Sequence, residues 1–220
     1  MDYIISMLPM LLKGTVTSLK LFAFALVLSI PLGLPVALQL RSRFRPLRWI
    51  ANIYVYIFRS TPLMLQLVII YFGLPRIPGI GPYLLLDRFH AAILAFVLNY
   101  IAYFAEIYRS GLLGVNRSQF EACQVLGLSH WQTQTRVIFP QMFRICLPSV
   151  ANEVITLLKD TSLLYAVSVA ELIHNAEAIV NRDANMTALM VALVIYMILN
   201  FFLTVILKHL ESRFSWGKNL

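Results

Sequence analysis

Residues 118–141, SQFEACQVLGLSHWQTQTRVIFPQ, form a polar island of about two dozen residues between two long hydrophobic runs. The island opens like a helix, breaks at Gly127, opens a second helix, and runs into Pro140-Gln141 before the next apolar run. Its setting decides the fold. Of the 220 residues, 60% are hydrophobic and the mean hydropathy is +0.76, more apolar surface than a water-soluble domain of this length has reason to carry. A bundle of membrane helices needs it, because each crossing takes roughly 20 apolar residues. A soluble loop of this length in a small membrane protein is a surface for something to bind.

Outward from the island, five hydrophobic segments are read at about 17–40, 50–74, 87–108, 145–172 and 186–207. Between the second and third, Pro75, Pro78, Pro82, Gly79 and Gly81 mark a turn-rich loop. The first residues, MDYIISMLPMLLKG, have no basic leader and no small-residue cleavage pattern, so they do not read as a removable signal peptide. No internal repeat is evident, and residues 1–220 are expected to form one transmembrane domain.

The net charge of +8 could suggest nucleic acid, but its placement argues otherwise. With the N-terminus outside, eleven of the 18 basic residues fall on the cytoplasmic side: Arg41, Arg43, Arg45, Arg48, Arg109, Arg117, Arg136, Arg144, Lys208, Arg213 and Lys218. Lys13, Arg76, Arg88 and Arg182 fall outside, and Lys20, Arg59 and Lys159 within spans. That bias predicts N-out and C-in, and puts the island in the cytoplasm. The run RSRFRPLR at 41–48 then reads as a topology anchor in a short loop. Cys123 and Cys146 both fall at or near the cytoplasmic side, where no disulfide is expected. The four histidines show no metal-ligand spacing. No phosphate-binding G-x-x-x-x-G-K-[ST] occurs, so the chain is not by itself an ATPase.

Within the island, Ser118 and Glu121 have the spacing of a capping box, as do Ser129 and Gln132. Gly127 stands where a helix ends in a residue of positive φ, and the second helix is expected to stop near Pro140. Two short capped helices joined by a glycine make a protruding elbow.

These residues resemble the EAA loop of the membrane subunits of ATP-binding-cassette importers: E-A-A, three residues, G, nine residues, I-x-L-P. Here the pattern is Glu121, Ala122, Cys123, then Gly127, then Val137, Phe139 and Pro140. Cys123, Val137 and Phe139 depart from it, each by a small or apolar replacement. FRSTPL at 58–63 with Gln66 and YFGLP at 71–75, AYFAEIYR at 102–109 and NEVITLLKDTSL at 152–163 are similar to segments of the polar amino acid uptake permeases. The resemblance implies an all-α, five-span permease with EAA coupling helices between the third and fourth spans, in a bacterial cytoplasmic membrane. It implies pairing with an identical or homologous permease, two ATPase subunits that carry ATP and Mg, and an extracytoplasmic substrate-binding protein. The chain would have no catalytic residue and no cofactor of its own, and nucleic acid is not a partner. Glu121, Ala122, Gly127, Trp131 and Pro140 would form the ATPase-coupling surface.

Ionisable groups inside a span are costly and call for a reason. Lys20 can snorkel outward. Arg59 lies beside Pro62, which kinks its helix, and either snorkels to the cytoplasm or pairs with an acid of another span. Glu106 and Arg109 have i,i+3 spacing and read as a structural pair. Glu153 and Asp160, seven residues apart, share a helical face with Thr156, flanked by Lys159 and Ser162. That stripe avoids lipid either as a buried network, with Lys159 neutralising Asp160, or as a polar passage for the amino acid, to which Asn99 and Tyr103 could contribute. Arg59, Asn99, Tyr103, Glu153 and Asp160 are the candidate pathway residues. Two acids mildly favour a cationic substrate, and Lys159 weakens that preference. An ion-coupled secondary transporter would use the same carboxylates but would need no elbow.

Overall fold

The computed structural model describes residues 2–214; Lys218, counted above with the basic edge, lies outside them. Among the described residues there are helices and turns and no strand. Three helices are long and apolar enough to cross a membrane: α1 (Asp2–Leu40), α4 (Arg88–Gly114) and α9 (Thr187–Phe214). Two bent pairs bring the number to five if each is one span. One is α2 (Arg45–Ser60) with α3 (Leu63–Val68) and the turns through Arg76. The other runs from α6 (His130–Gln132) through α7 (Phe139–Asp160) to Val167, then α8 (Leu172–Asp183).

Helix α1 begins at Asp2, well before the expected start near Thr17. Pro9 lies two turns in and Pro31 and Pro35 lie near the far end, yet all are accommodated. Its buried stripe is small: Gly14, Ser18, Ala25, Ser29, Gly33 and Ala37. Gly33 lies directly against Phe104 and Ala105 of α4, and the Tyr108 hydroxyl donates to the Ile30 carbonyl of α1 (3.1 Å). Small side chains let membrane helices approach closely, where dispersion replaces the missing hydrophobic drive. Ser29 Oγ donates across this seam to the Val97 carbonyl (3.4 Å). α4 is accordingly the central helix, with two thirds of its apolar window buried against 6% for α9.

The second span is less a kinked helix than a broken one. Thr61 and Pro62 are both extended, and α2 and α3 meet at 104°. A proline removes a donor and drives its predecessor from the helical region, which leaves carbonyls without partners. Gln66 Nε2 donates to the Phe58 and Thr61 carbonyls (3.0 and 3.1 Å). Asn99 Nδ2, from α4, donates to the Phe58 carbonyl and to Gln66 Oε1 (both 2.9 Å). Irregular backbone at membrane depth persists only where protein satisfies it in this way.

The fourth segment continues as a 3-10 turn over Thr161–Val167 and breaks at Ser168, a non-glycine residue with φ of 54°. Helix α8 restarts with Glu171 as its cap, whose fully buried carboxylate accepts from the His174 N–H (2.7 Å). Ser18 of α1 (3.5 Å) and Tyr196 of α9 (3.4 Å) donate to the same carboxylate. Glu171 therefore ties α1, α8 and α9 together at the break.

Candidate functional site

The island is an elbow, built with different caps from those its spacing suggested. Helix α5 spans Arg117–Val125, and its cap is Asn116, whose Oδ1 accepts from the Ser118 N–H (3.0 Å). Ser118 is thus inside the first turn and cannot form the expected capping box. Glu121 pairs instead with Arg117 one turn back (3.3 Å). The helix ends as expected. Gly127 has φ of +66°, its N–H reaches the Gln124 carbonyl, and Leu128 N–H closes back on the Cys123 carbonyl (both 3.0 Å). These are the two bonds of a Schellman ending. Nothing lies within 4 Å of where a Gly127 Cβ would be, so the backbone conformation alone calls for glycine there.

The second box is present in both directions: Gln132 N–H to Ser129 Oγ (3.3 Å) and Ser129 N–H to Gln132 Oε1 (2.9 Å). The expected stop near Pro140 does not occur. The chain passes from α6 through a π segment, Thr133–Ile138, into α7, and Phe139 itself is helical at φ −60° and ψ −43°. Pro140 lies in the first turn of α7 directly after that segment, and lacks the N–H that would continue its ladder. The wider i→i+5 turn before it takes up the local misfit. The second arm of the elbow is therefore one continuous helical lever with α7, and α5 is joined to it across the break at Gly127–Ser129.

Cys123 is buried under the elbow, whereas Glu121, Ala122, Gly127 and Pro140 are exposed. The outer surface is unexpectedly apolar: Val125 is 88% exposed, Leu126 74% and Trp131 73%. Spacing singled out Trp131 but not Val125 or Leu126. An apolar pair next to a C-terminal glycine was the available signal, and it reads equally well as a hydrophobic contact of the helix ending.

Within the membrane region, Arg59, Tyr103, Glu106 and Glu153 line one cavity of about 460 Å³ between α2, α4 and α7. The Arg59 guanidinium lies 5.4 Å from the Tyr103 ring centre and 3.9 Å from Glu106 Oε1. Glu106 also accepts from Arg109 Nε (2.8 Å). Of the two alternatives for Arg59, pairing with an acid of another span is the one found. Glu153 faces the same cavity, in no ion pair among the described residues but within the electrostatic reach of Arg59. Asp160 accepts from the buried Tyr100 hydroxyl (2.8 Å), and the exposed Lys159 acts on it through charge without a hydrogen bond. Tyr100 gave no sign in the sequence, since an aromatic one turn from Tyr103 and Phe104 reads as core. Asn99, 3% exposed, is committed to the break in the second span and does not line the Glu153 cavity. Thr156 is exposed and bonded to the Asn152 carbonyl (3.1 Å), so α7 shows an uncovered polar face at Asn152, Thr156 and Lys159.

Comparison with known proteins gives the architecture its context. Residues 29–216 match the family described as the binding-protein-dependent transport system inner membrane component. The arginine transport system permease protein ArtQ of Bacillus subtilis is 34% identical over 210 residues, covering 95% of this chain and 94% of the relative. The L-cystine transport system permease protein TcyB of the same organism is 38% identical over 207 residues, covering 93% and 86%. Among solved structures, an amino acid ABC transporter crystallised with histidines superposes with a TM-score of 0.87 at 29% identity, over 96% of this chain and 97% of that one. A methionine transporter, MetNI, shares the fold at a TM-score of 0.75 and 19% identity. This chain belongs to the family of binding-protein-dependent transport system inner membrane components.

Proposed function

We propose that the chain is the permease subunit of an ATP-driven importer that moves a polar amino acid across the bacterial cytoplasmic membrane. Residues 1–220 form one transmembrane domain with the N-terminus outside and the elbow in the cytoplasm. The observation that carries this reading is the lever: α6, capped at Ser129 and joined through Gly127 to the exposed apolar end of α5, is continuous in helix with α7, which bears Glu153 and Asp160. Val125, Leu126 and Trp131 are the surface an ATPase subunit would cover. Closure of two ATPases on their nucleotide would push the elbow, and α7 would move with it. ATP and Mg belong to those partners.

The uncovered Asn152, Thr156 and Lys159 face of α7 supports a second permease alongside, because polar side chains at this depth do not face lipid. Across such a pair, two Glu153-lined cavities would meet and draw the ammonium or cationic side chain of the substrate. Arg59 and Tyr103 shape the wall, and Arg59 shares Glu106 with Arg109. Asp160 and Asn99 contribute through the helices they hold. A binding protein would deliver the amino acid from outside. The relatives named above are permeases of transport systems, which supports this reading and not an ion-coupled carrier. Co-purification from native membranes, followed by mass spectrometry of the intact complex, tests it. Two ATPase subunits and two permeases are expected, and transport in vesicles that lack any ATPase would refute it.

A further inference from the structure

Where the end of α1 meets the elbow, a cleft of about 710 Å³ opens between the two. That volume falls within the roughly 300–1,000 Å³ of sites that hold ligands. Its inner wall is apolar, with Leu38 from α1, Leu112 from α4 and Phe139 at the start of α7. Its rim carries Arg41, His130 and Trp131. Arg41 opens the run Arg41, Arg43, Arg45 and Arg48, and among the described residues none of these four lies in an ion pair. An unbalanced guanidinium beside an apolar slot complements an amphiphile with an anionic head.

We propose that this cleft seats an anionic membrane phospholipid. One acyl chain lies against Leu38, Leu112 and Phe139, and the phosphodiester rests on Arg41 with the His130 imidazole beside it. The alternative occupant is a segment of the ATPase. It is disfavoured because the cleft's back wall belongs to the membrane helices α1 and α4, whereas the exposed tip of the elbow is Val125 and Leu126. Basic pockets between membrane helices on the cytoplasmic side take anionic headgroups for this reason. The bound lipid would bridge α1 to α6 and hold the angle of the elbow, so that coupling depends on lipid charge. The inference rests on the cytoplasmic elbow of the proposed function, but the lipid is read out separately from the ATPase.

The test uses the full transporter, permease with its ATPase partner, in nanodiscs of phosphatidylcholine with and without phosphatidylglycerol. Native mass spectrometry counts retained lipid, and co-purification reports ATPase attachment. The wild type is expected to retain phosphatidylglycerol over phosphatidylcholine and to show higher substrate-stimulated hydrolysis when it is present. Arg41→Gln is expected to lower that retention several-fold, and Arg43→Gln, outside the cleft lining, to leave it unchanged. Leu38→Trp fills the slot with the charge intact and is expected to remove the adduct as well. Equal retention of the two lipids by the wild type, or undiminished retention in both Arg41→Gln and Leu38→Trp, would overturn the proposal. Loss of ATPase attachment with lipid retention unchanged would hand the cleft to the ATPase.

Discussion

Gly127→Val isolates the elbow from the membrane fold. The residue sits at φ +66°, a conformation in which a Cβ crowds the following carbonyl at about 1–2 kcal/mol for an ordinary L-residue. A built Cβ meets no other atom within 4 Å, so no packing penalty or gain obscures that figure. Valine, branched at Cβ, lies at the upper end or beyond. Relief by rotation would break the Leu128-to-Cys123 and Gly127-to-Gln124 bonds, each worth about 0.5–1.5 kcal/mol net. Either way the native elbow is disfavoured by a factor of about 5–30, the usual weight of one to two kcal/mol. The change falls outside the spans, so membrane assembly should be intact while ATPase co-purification and substrate-stimulated hydrolysis fall. Gly127→Asn tolerates the left-handed region and should retain most of both. Wild-type coupling in the valine variant, or equal loss in the valine and asparagine variants, would refute the argument from backbone conformation.

Three further outcomes are expected. Glu153→Gln keeps the shape of the cavity but removes its carboxylate charge, so uptake of a cationic amino acid should fall several-fold more than uptake of a neutral one. Equal effects on both at matched expression would take Glu153 off the pathway. Gly111→Ala would put a Cβ 2.0 Å from Cys146 Sγ and 3.2 Å from the Met142 carbonyl, so the α4–α7 seam must open. Overpacking of this kind typically costs about 1–3 kcal/mol; thermal stability of the detergent-solubilised protein should drop, and Cys146→Ala in the same chain should restore part of it. For orientation, single cysteines at Gly79 and Asn185 in a cysteine-free background should react with an impermeant reagent outside sealed cells, and one at Ser118 should not.

Much of the architecture is written in local features. Length and apolarity mark α1, α4 and α9 as spans; α1 starts earlier than expected, and α4 and α9 run on to Gly114 and Phe214, beyond the expected ends near 108 and 207. Gly127 and the Ser129–Gln132 box could be read because a helix ending and a helix cap are settled within five residues of chain. Ser118 failed by the same logic. Asn116 is two residues upstream and equally able to cap, and nothing local decides between two competent side chains so close together.

The rest required three dimensions. Pro62 announces a bend, but the 104° break stands because Gln66 and Asn99, the latter from another helix, satisfy the exposed carbonyls. Asn99 therefore serves the break rather than the cavity that its one-turn spacing from Tyr103 suggested. Arg59 could have reached the cytoplasm or an acid, and only the position of α4 supplies Glu106. Lys159 is adjacent to Asp160 in the chain, yet the hydrogen bond to that carboxylate comes from Tyr100, because neighbouring residues on a helix point about 100° apart. Sequence alone determined which segments are long and apolar enough to cross a membrane and where the chain turns at Gly127 and Ser129, since apolarity and capping are local properties. The partner of each polar group was decided by the tertiary structure, because inside a bilayer the nearest competent donor or acceptor lies on another helix, at a separation in sequence that no local pattern encodes.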